Sequence, residues 1–252
     1  MTLNWFKFAS PATFYPLAGR LTRPFWILTG VLLVIGLYWG FFQTADQLGG
    51  SNPQKEYYRI IFIHVPAAWM SMWLYIVLVF WAAIGLVFNT RLSFMMANAV
   101  APTGAVFTFL ALWTGAFWGR PSWGTYWDWD PRLTSELVLF FLYIGYMALH
   151  SAIDDTRRAD RASALLALVG LVMVPVIYWS INCPDPTQCA ALHQRSGLGK
   201  IDSNILFSML TMTLAFWMYA FATGFMRLRS IILTREAEAS WVQELVSREQ
   251  PR

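Results

Sequence analysis

The chain alternates long apolar runs with short polar segments, and the length of these runs indicates the fold class. A helix needs about 20 mostly apolar residues to cross the hydrocarbon core of a bilayer. Six stretches reach that length, at roughly 24–43, 65–88, 93–118, 134–152, 163–181 and 204–226. We therefore predict an all-α integral membrane protein with six transmembrane helices, a single membrane domain over residues 1–252, and both termini on one side.

The segments between the predicted spans differ in length and charge, which gives an orientation. Short connections at 89–92 and 153–162 alternate with longer ones at 44–64, 119–133 and 182–203, so the three long loops share one side. With the N-terminus inside, twelve of the 18 Lys and Arg residues lie on the inner side. The positive-inside rule then favours N-in and C-in termini, long loops that face outward and a cytoplasmic tail at 230–252.

The N-terminal stretch before the first span carries no recognisable cleavage site, so we expect the first span to be an uncleaved anchor. Residues 1–23 combine aromatic side chains with Lys7, Arg20 and Arg23. This composition fits either a segment on the inner membrane surface or a loose tail.

Composition supports the membrane assignment and excludes several function classes. Hydrophobic residues make up 57% of the chain and charged residues 13%, and the mean hydropathy is +0.47. The net charge of +4 is accompanied by no basic stripe or nucleic-acid motif, so we expect membrane lipid and no nucleic acid as a partner. The G-x-x-x-x-G-K-[ST] phosphate-binding loop is absent, so any use of ATP belongs to another subunit.

The loop between the third and fourth predicted spans has an unusual density of aromatic and charged residues. Residues 123–134, here called the tryptophan segment, read W-G-T-Y-W-D-W-D-P-R-L-T, and Trp118 and Arg120 lie just upstream. One interpretation is an aromatic belt that anchors helix ends at the lipid headgroups. The other is a binding platform for a flat, anionic, aromatic ligand, with indole faces stacking on the ring and an arginine pairing with a carboxylate.

The spacing W-G-x-x-W-x-W-D-x-R-L-T resembles the tryptophan-rich haem-handling signature, the WWD domain, of cytochrome c biogenesis membrane proteins. At this length the chain is most similar to the short group among them, the haem exporter protein C family, also called cytochrome c maturation protein C. The matching residues are Trp123, Gly124, Trp127, Trp129, Asp130, Arg132, Leu133 and Thr134, while Tyr126 stands at a variable position where relatives often have tryptophan.

The resemblance implies a function and a set of partners. It implies binding of haem b at the periplasmic face of a bacterial inner membrane and delivery to a periplasmic haem chaperone, cytochrome c maturation protein E. It also implies ABC transporter subunits and a small membrane protein of the same pathway as partners. The expected role is haem transfer and transport rather than enzymatic catalysis.

Individual roles within the tryptophan segment follow from residue type. Trp127 and Trp129 alternate, so in an extended segment both would point to one face and form the haem platform. Gly124 would let the backbone turn. Asp130 is a candidate buried hydrogen-bond acceptor, and the variable position Asp128 is expected to be solvated.

Two basic residues, Arg120 and Arg132, are candidates for pairing with a haem propionate, and the sequence does not decide between them.

Three histidines are present, and the predicted topology separates them. His64 begins the second span and His193 lies in the third long loop, both on the outer side, whereas His150 ends the fourth span on the inner side. A lone histidine near a helix end is more often structural, which is our interpretation of His150. The resemblance implies that His64 and His193 are the axial ligands of the haem iron.

Glu136 and two cysteines leave alternatives open. Glu136 lies just inside the fourth span, where an ionisable group is often functional but at this depth can reach the interface. Cys183 and Cys189 lie in the third long loop, and a disulfide between them is favoured over free thiols and over a metal site with His193. The C-x-x-C-H haem attachment motif is absent.

Two other function classes remain as alternatives. A membrane b-type cytochrome for electron transfer would need further histidines within the spans, and His150 alone does not supply a pair. An ABC-type permease subunit with an aromatic belt would bind no haem.

Overall fold

The computed structural model describes residues 10–44, 55–182 and 201–249, and this part of the chain is helical without strands. Six helices in it are long and apolar enough to cross a membrane: Pro11–Phe42, Glu56–Phe88, Arg91–Trp123, Pro131–Ala152, Thr156–Ser180 and Ser203–Arg235. The predicted all-α membrane fold with six spans is confirmed.

The helices are longer than the apolar runs that predict them. They are α1 (Pro11–Phe42), α2 (Ile61–Phe88, preceded by a 3₁₀-helix over Lys55–Ile60), α3 (Arg91–Trp123), α4 (Pro131–Ala152), α5 (Thr156–Gly170), α6 (Met173–Asn182), α7 (Ser203–Arg235) and α8 (Ser240–Glu249).

Helix α1 therefore begins well before residue 24, and most of the stretch assigned to a surface segment or tail is part of it. The C-terminal stretch likewise contains the end of α7 and all of α8. A run of apolar residues marks only the part of a helix that would lie in the hydrocarbon core of a bilayer. These helices continue beyond that part.

The fifth span is divided into α5 and α6 by a turn at residues 171–172. Pro175 explains the position of this break. A proline has no backbone N–H and its ring clashes with the carbonyl four residues earlier, which here belongs to Leu171. Around the break the backbone uses tighter bonds, from Leu171 N–H to Leu168 O and from Val174 N–H to Leu171 O.

Two buried tyrosines hold the middle of the bundle together. The rings of Tyr75 on α2 and Tyr143 on α4 meet edge to face at 5.0 Å. The Tyr143 hydroxyl donates to Ser71 O at 2.8 Å, and the Tyr75 hydroxyl donates to Ala167 O at 3.2 Å. Gly104 makes room for this arrangement, because a Cβ there would lie 2.3 Å from the Tyr143 ring. The contacts set the positions of α2, α4 and α5.

One end of the bundle, here called the inner end, carries a polar cluster centred on Asp160. Arg235 donates to both carboxylate oxygens of Asp160, at 2.8 and 2.9 Å. His150 Nε2 lies 3.0 Å from Asp160 Oδ1 and 3.1 Å from Asn98 Nδ2. These side-chain contacts give His150 a structural role at the inner end. The outer end, opposite, holds His64 and the tryptophan segment.

Candidate functional site

The tryptophan segment begins inside a helix. Helix α3 continues through Trp118 and Arg120 to Trp123, so these residues belong to its last turns and not to a loop. Gly124 ends the helix with φ of 83°, a left-handed conformation that favours glycine. Its N–H donates to Arg120 O at 3.0 Å. The turn expected at Gly124 is present.

The C-terminal part of the segment forms the start of helix α4. Asp130 is the N-cap of α4, and its buried carboxylate accepts from Leu133 N–H at 2.7 Å. Pro131 occupies the first helical position, where its missing N–H costs no hydrogen bond. Asp130 is thus a buried acceptor of a backbone amide hydrogen bond. The non-helical part is only residues 124–130, held at both ends by caps.

Trp127 and Trp129 lie close together but are not parallel. Their ring centroids are 5.5 Å apart and their planes meet at 80°. Trp129 is 73% exposed, whereas Trp127 is half-buried. Because the rings meet edge to face, only one of them can lie flat against a planar ligand. Trp129 and the exposed Tyr126 are the rings that the segment offers to its surroundings, and Asp128 is exposed as expected.

The two arginines of the segment differ in exposure and in partners. Arg120 is exposed, donates to Gly124 O, and lies over the Tyr126 ring at 5.7 Å from its centroid. Arg132 is only 7% exposed and donates to Ile177 O at 3.4 Å. Arg120 is therefore the arginine that can meet an anion approaching from outside.

His64 is 6% exposed and contacts α3. Its Nδ1 lies 3.0 Å from Thr114 Oγ1, and the same hydroxyl lies 2.6 Å from Leu110 O. A hydroxyl has one hydrogen, and a carbonyl can only accept, so Thr114 donates to Leu110 O and accepts from His64 Nδ1–H. In a neutral imidazole the lone pair then resides on Nε2. The ring also meets Trp118 edge to face at 5.6 Å.

A small cavity lies between His64 and the tryptophan segment. Its volume is about 30 Å³, and its lining residues are His64, Ala68, Ala111, Leu112, Gly115, Trp123, Arg132, Leu133 and Glu136. Such a cavity has room for a water molecule with polar partners, but not for a porphyrin. It brings together side chains from α2, α3 and α4.

Glu136 lies in this cavity and does not extend to the interface. It is 5% exposed, and its Oε1 accepts from Ser71 Oγ at 2.5 Å. Its Oε2 has no hydrogen-bond partner among the described residues. Of the two alternatives left open for Glu136, the structure shows the buried one, because helix α4 turns this side chain toward Ser71 on α2.

The structure identifies two polar partners, Thr114 and Ser71, that sequence reasoning missed. Each lies inside a long apolar span, and a polar residue there is a signal that could have identified both.

Three predicted residues, His193, Cys183 and Cys189, lie outside the described residues. The ligand role of His193 and the disulfide therefore stay predictions.

The sequence is similar to those of known proteins over most of its length. The family model described as heme exporter protein C matches residues 4–243. Heme exporter protein C of Escherichia coli K12 is 41% identical over 243 residues, which is 95% of each chain. That of Bradyrhizobium diazoefficiens is 40% identical over 231 residues, 92% of this chain and 86% of the relative. That of Paracoccus denitrificans is 34% identical over 249 residues, 98% and 99% of the two chains.

Proposed function

The chain belongs to the heme exporter protein C family of membrane proteins, and on that premise we propose that it binds haem b and passes it on for cytochrome c biogenesis. The proposed site is the outer end of the bundle, between the tryptophan segment and the histidines His64 and His193. The proposed recipient is a periplasmic haem chaperone, cytochrome c maturation protein E.

The observation that carries this proposal is the hydrogen bond between His64 and Thr114. Histidines that bind a metal usually donate their second ring N–H to a neighbouring acceptor, which sets the tautomer and the ring orientation. Thr114 is such an acceptor, because its own hydrogen is already donated to Leu110 O. His64 thus holds the neutral tautomer with its lone pair on Nε2, the form that ligates haem iron.

The tryptophan segment supplies the other contacts that haem needs. The exposed rings of Trp129 and Tyr126 offer apolar aromatic surface. Arg120 is exposed beside them and is the proposed partner of a propionate. The indole N–H groups of Trp118 and Trp127 are buried and have no hydrogen-bond partner in the part of the chain that the structure describes. A buried donor without an acceptor is unfavourable, so both groups fit an acceptor supplied by a ligand or water.

The size of the cavity beside His64 bears on how the site would work. A volume of about 30 Å³ excludes a porphyrin, so binding requires the walls around His64 to separate. A ligand that binds only the open conformation shifts the population toward it. In this proposal a recipient docking at the open edge takes the haem while the helices return to the packed conformation. Such a site binds its cargo without trapping it.

The membrane arrangement is part of the same proposal. The proposed membrane is the bacterial inner membrane, and the distribution of Lys and Arg favours an orientation in which the site lies on its outer, periplasmic side. ABC transporter subunits and a small membrane protein of the pathway are the proposed membrane partners, and the pair Cys183 and Cys189 is the proposed disulfide bracing the loop that presents His193.

Cells that lack their own copy of the protein test the function. We expect His64→Ala and His193→Ala to abolish formation of c-type cytochromes at normal levels of membrane-inserted protein. His150→Gln, at the inner end, serves as the matched control and should support normal formation. Normal cytochrome c formation by both outer-end variants would contradict the assignment.

A further inference from the structure

We propose that the inner end of the bundle holds a binding site for an anionic phospholipid, in which Arg227 on helix α7 donates to the lipid phosphate. The site lies at the opposite end of the helices from His64 and the tryptophan segment, so it is independent of the function proposed above. It arises from an arginine at the end of an apolar run, whose charge no carboxylate balances among the described residues.

The contacts of Arg227 fix its guanidinium and leave its charge unpaired. Arg227 is half-buried, and its Nη1 donates to Thr103 Oγ1 on α3 at 2.9 Å. Thr103 Oγ1 lies in turn 3.2 Å from Thr223 Oγ1. A guanidinium has five N–H donors and no acceptor. In the part of the chain that the structure describes, Arg227 makes this one hydrogen bond and no ion pair. Its other donors and its positive charge therefore remain available to a ligand.

The other two arginines of helix α7 have partners for their charge. Arg235 pairs with the buried carboxylate of Asp160 at 2.8 Å. Arg229 lies over the ring of Tyr15, 4.4 Å from its centroid, and donates to the Tyr15 hydroxyl at 2.9 Å. A partly buried charge without a counter-ion is unfavourable. Arg227 is therefore the arginine of this helix that fits an anion supplied from outside the chain.

A pocket adjoins Arg227 on the same face of α7. Ile231 follows Arg227 by four residues and Thr234 follows it by seven, so both lie on the helix face that carries Arg227. Together with Ser230 and with Met147 of α4, they line a pocket of about 360 Å³ between α4 and α7. Ser230 and Thr234 are exposed, so the pocket opens to the surroundings of the bundle. Its walls combine hydroxyl groups with apolar side chains, which suits a lipid head group and the start of its acyl chains.

The depth of Arg227 indicates a phospholipid rather than a soluble anion. Arg227 directly follows the apolar run 204–226, so it lies where the hydrocarbon core of a bilayer meets the head groups. Basic pockets between membrane helices at this level bind anionic head groups. Side chains of the polar cluster around Asp160 form the remaining wall of the pocket. They are bound to one another, so Arg227 is the group left to pair with the phosphate.

Native mass spectrometry of the purified, full-length protein tests the inference, with dioleoyl phosphatidylglycerol as the probe. We expect the wild type to retain this lipid and Arg227→Gln to bind it at least about fivefold more weakly, the contribution of one arginine near a membrane surface. Dioleoyl phosphatidylcholine, whose choline group balances the phosphate charge, should bind the wild type more weakly. Inorganic phosphate at the same concentration should not displace phosphatidylglycerol.

Arg23→Gln is the matched control for Arg227→Gln. Arg23 is exposed and directly precedes the first apolar run. The rings of Phe25 and Phe225 lie 5.8 Å apart, and each arginine lies two residues from one of these rings on the side of the inner end. Both variants therefore remove the same charge at the same depth. Arg23→Gln should keep the wild-type affinity for phosphatidylglycerol.

A second variant, Ser230→Asp, carries the test if Arg227→Gln does not fold. Ser230 is exposed and lies three residues after Arg227, so an aspartate there can pair with the guanidinium within the helix. Because the internal carboxylate takes the place of the phosphate, Ser230→Asp should weaken the binding of phosphatidylglycerol as strongly as Arg227→Gln. Ser247→Asp adds the same charge at an exposed position of α8 and should leave the affinity unchanged.

The outcomes test this site separately from the proposed function, because none of the measurements involves haem. A wild type that retains no phosphatidylglycerol, or wild-type affinity in Arg227→Gln or Ser230→Asp, would overturn the inference. An equal loss in Arg23→Gln would overturn it as well, because it would show a general attraction to a basic membrane surface. Displacement of the lipid by inorganic phosphate would overturn the assignment of the site to a phospholipid.

Discussion

Replacing Thr114 with valine removes the acceptor for His64 Nδ1–H while preserving the shape of the side chain. In the haem-free protein the imidazole can respond by moving its hydrogen to Nε2. In the haem-loaded protein it cannot, because Nε2 must keep its lone pair for the iron. The Nδ1–H group is then buried without an acceptor, and the cost appears in the affinity for haem.

The magnitude follows from the burial of His64, which is 6% exposed. A buried donor left without a partner costs about 1–3 kcal/mol, which corresponds to a loss of affinity of about 5- to 150-fold. Substitution of groups that orient a metal-bound histidine typically costs about 10- to 100-fold. The two arguments agree, so we expect haem binding by Thr114→Val to be weaker by at least fivefold.

Titration of haem into the purified protein, followed by absorbance, measures this loss. Thr108→Val is the matched control, since Thr108 lies on the same helix, is fully buried, and donates to Gly104 O at 2.8 Å without contacting a histidine. Thr114→Ser keeps the hydroxyl and should retain most of the affinity. Wild-type affinity in Thr114→Val, or an equal loss in Thr108→Val, would refute the assignment of the His64 tautomer.

Further predictions concern the surface of the site and the stability of both ends. Arg120→Gln should weaken the binding of haem but not that of haem dimethyl ester, which lacks the propionate carboxylates. Equal weakening of both ligands would contradict a contact between Arg120 and a propionate. Gly124→Ala should lower the melting temperature, because an L-residue at φ of 83° costs about 1–2 kcal/mol. Gly224→Ala, with open space around the added Cβ, should not lower it. Equal melting temperatures for the two variants would contradict the role of Gly124 as the helix cap. Asp160→Asn removes the buried carboxylate that pairs with the partly buried guanidinium of Arg235 and should cost about 3–5 kcal/mol in thermal unfolding. The exposed Asp154→Asn should cost little, and an equal loss in both variants would contradict the role of the Asp160 cluster.

The helices were predictable because a bilayer sets a minimum length for an apolar run. Their ends were not, since α3 continues past the apolar run to Trp123 and α4 starts at Pro131, where the caps Gly124 and Asp130 decide the boundary. The break between α5 and α6 was missed although Pro175 was visible in the sequence, because a proline in an apolar run can equally bend a helix without ending it.

The site was predictable where it depends on a local motif. The turn at Gly124 and the burial of Asp130 follow from the tryptophan segment itself. The contacts of His64 do not, because Thr114 is fifty residues away in sequence and lies on another helix. The burial of Arg132 and Glu136 likewise depends on how α4 packs against α2. Spacing within one segment carries no information on such pairings.

The central claim is that the outer end of this bundle holds haem through His64, and the absorbance spectrum of the purified protein tests it most directly. We expect the wild type, oxidised and reduced, to show a six-coordinate haem spectrum that is weakened or shifted in His64→Ala and in His193→Ala, and unchanged in His150→Gln. A wild type without haem, although produced with haem plentiful and its partners present, would contradict the claim and favour a permease subunit with an aromatic belt.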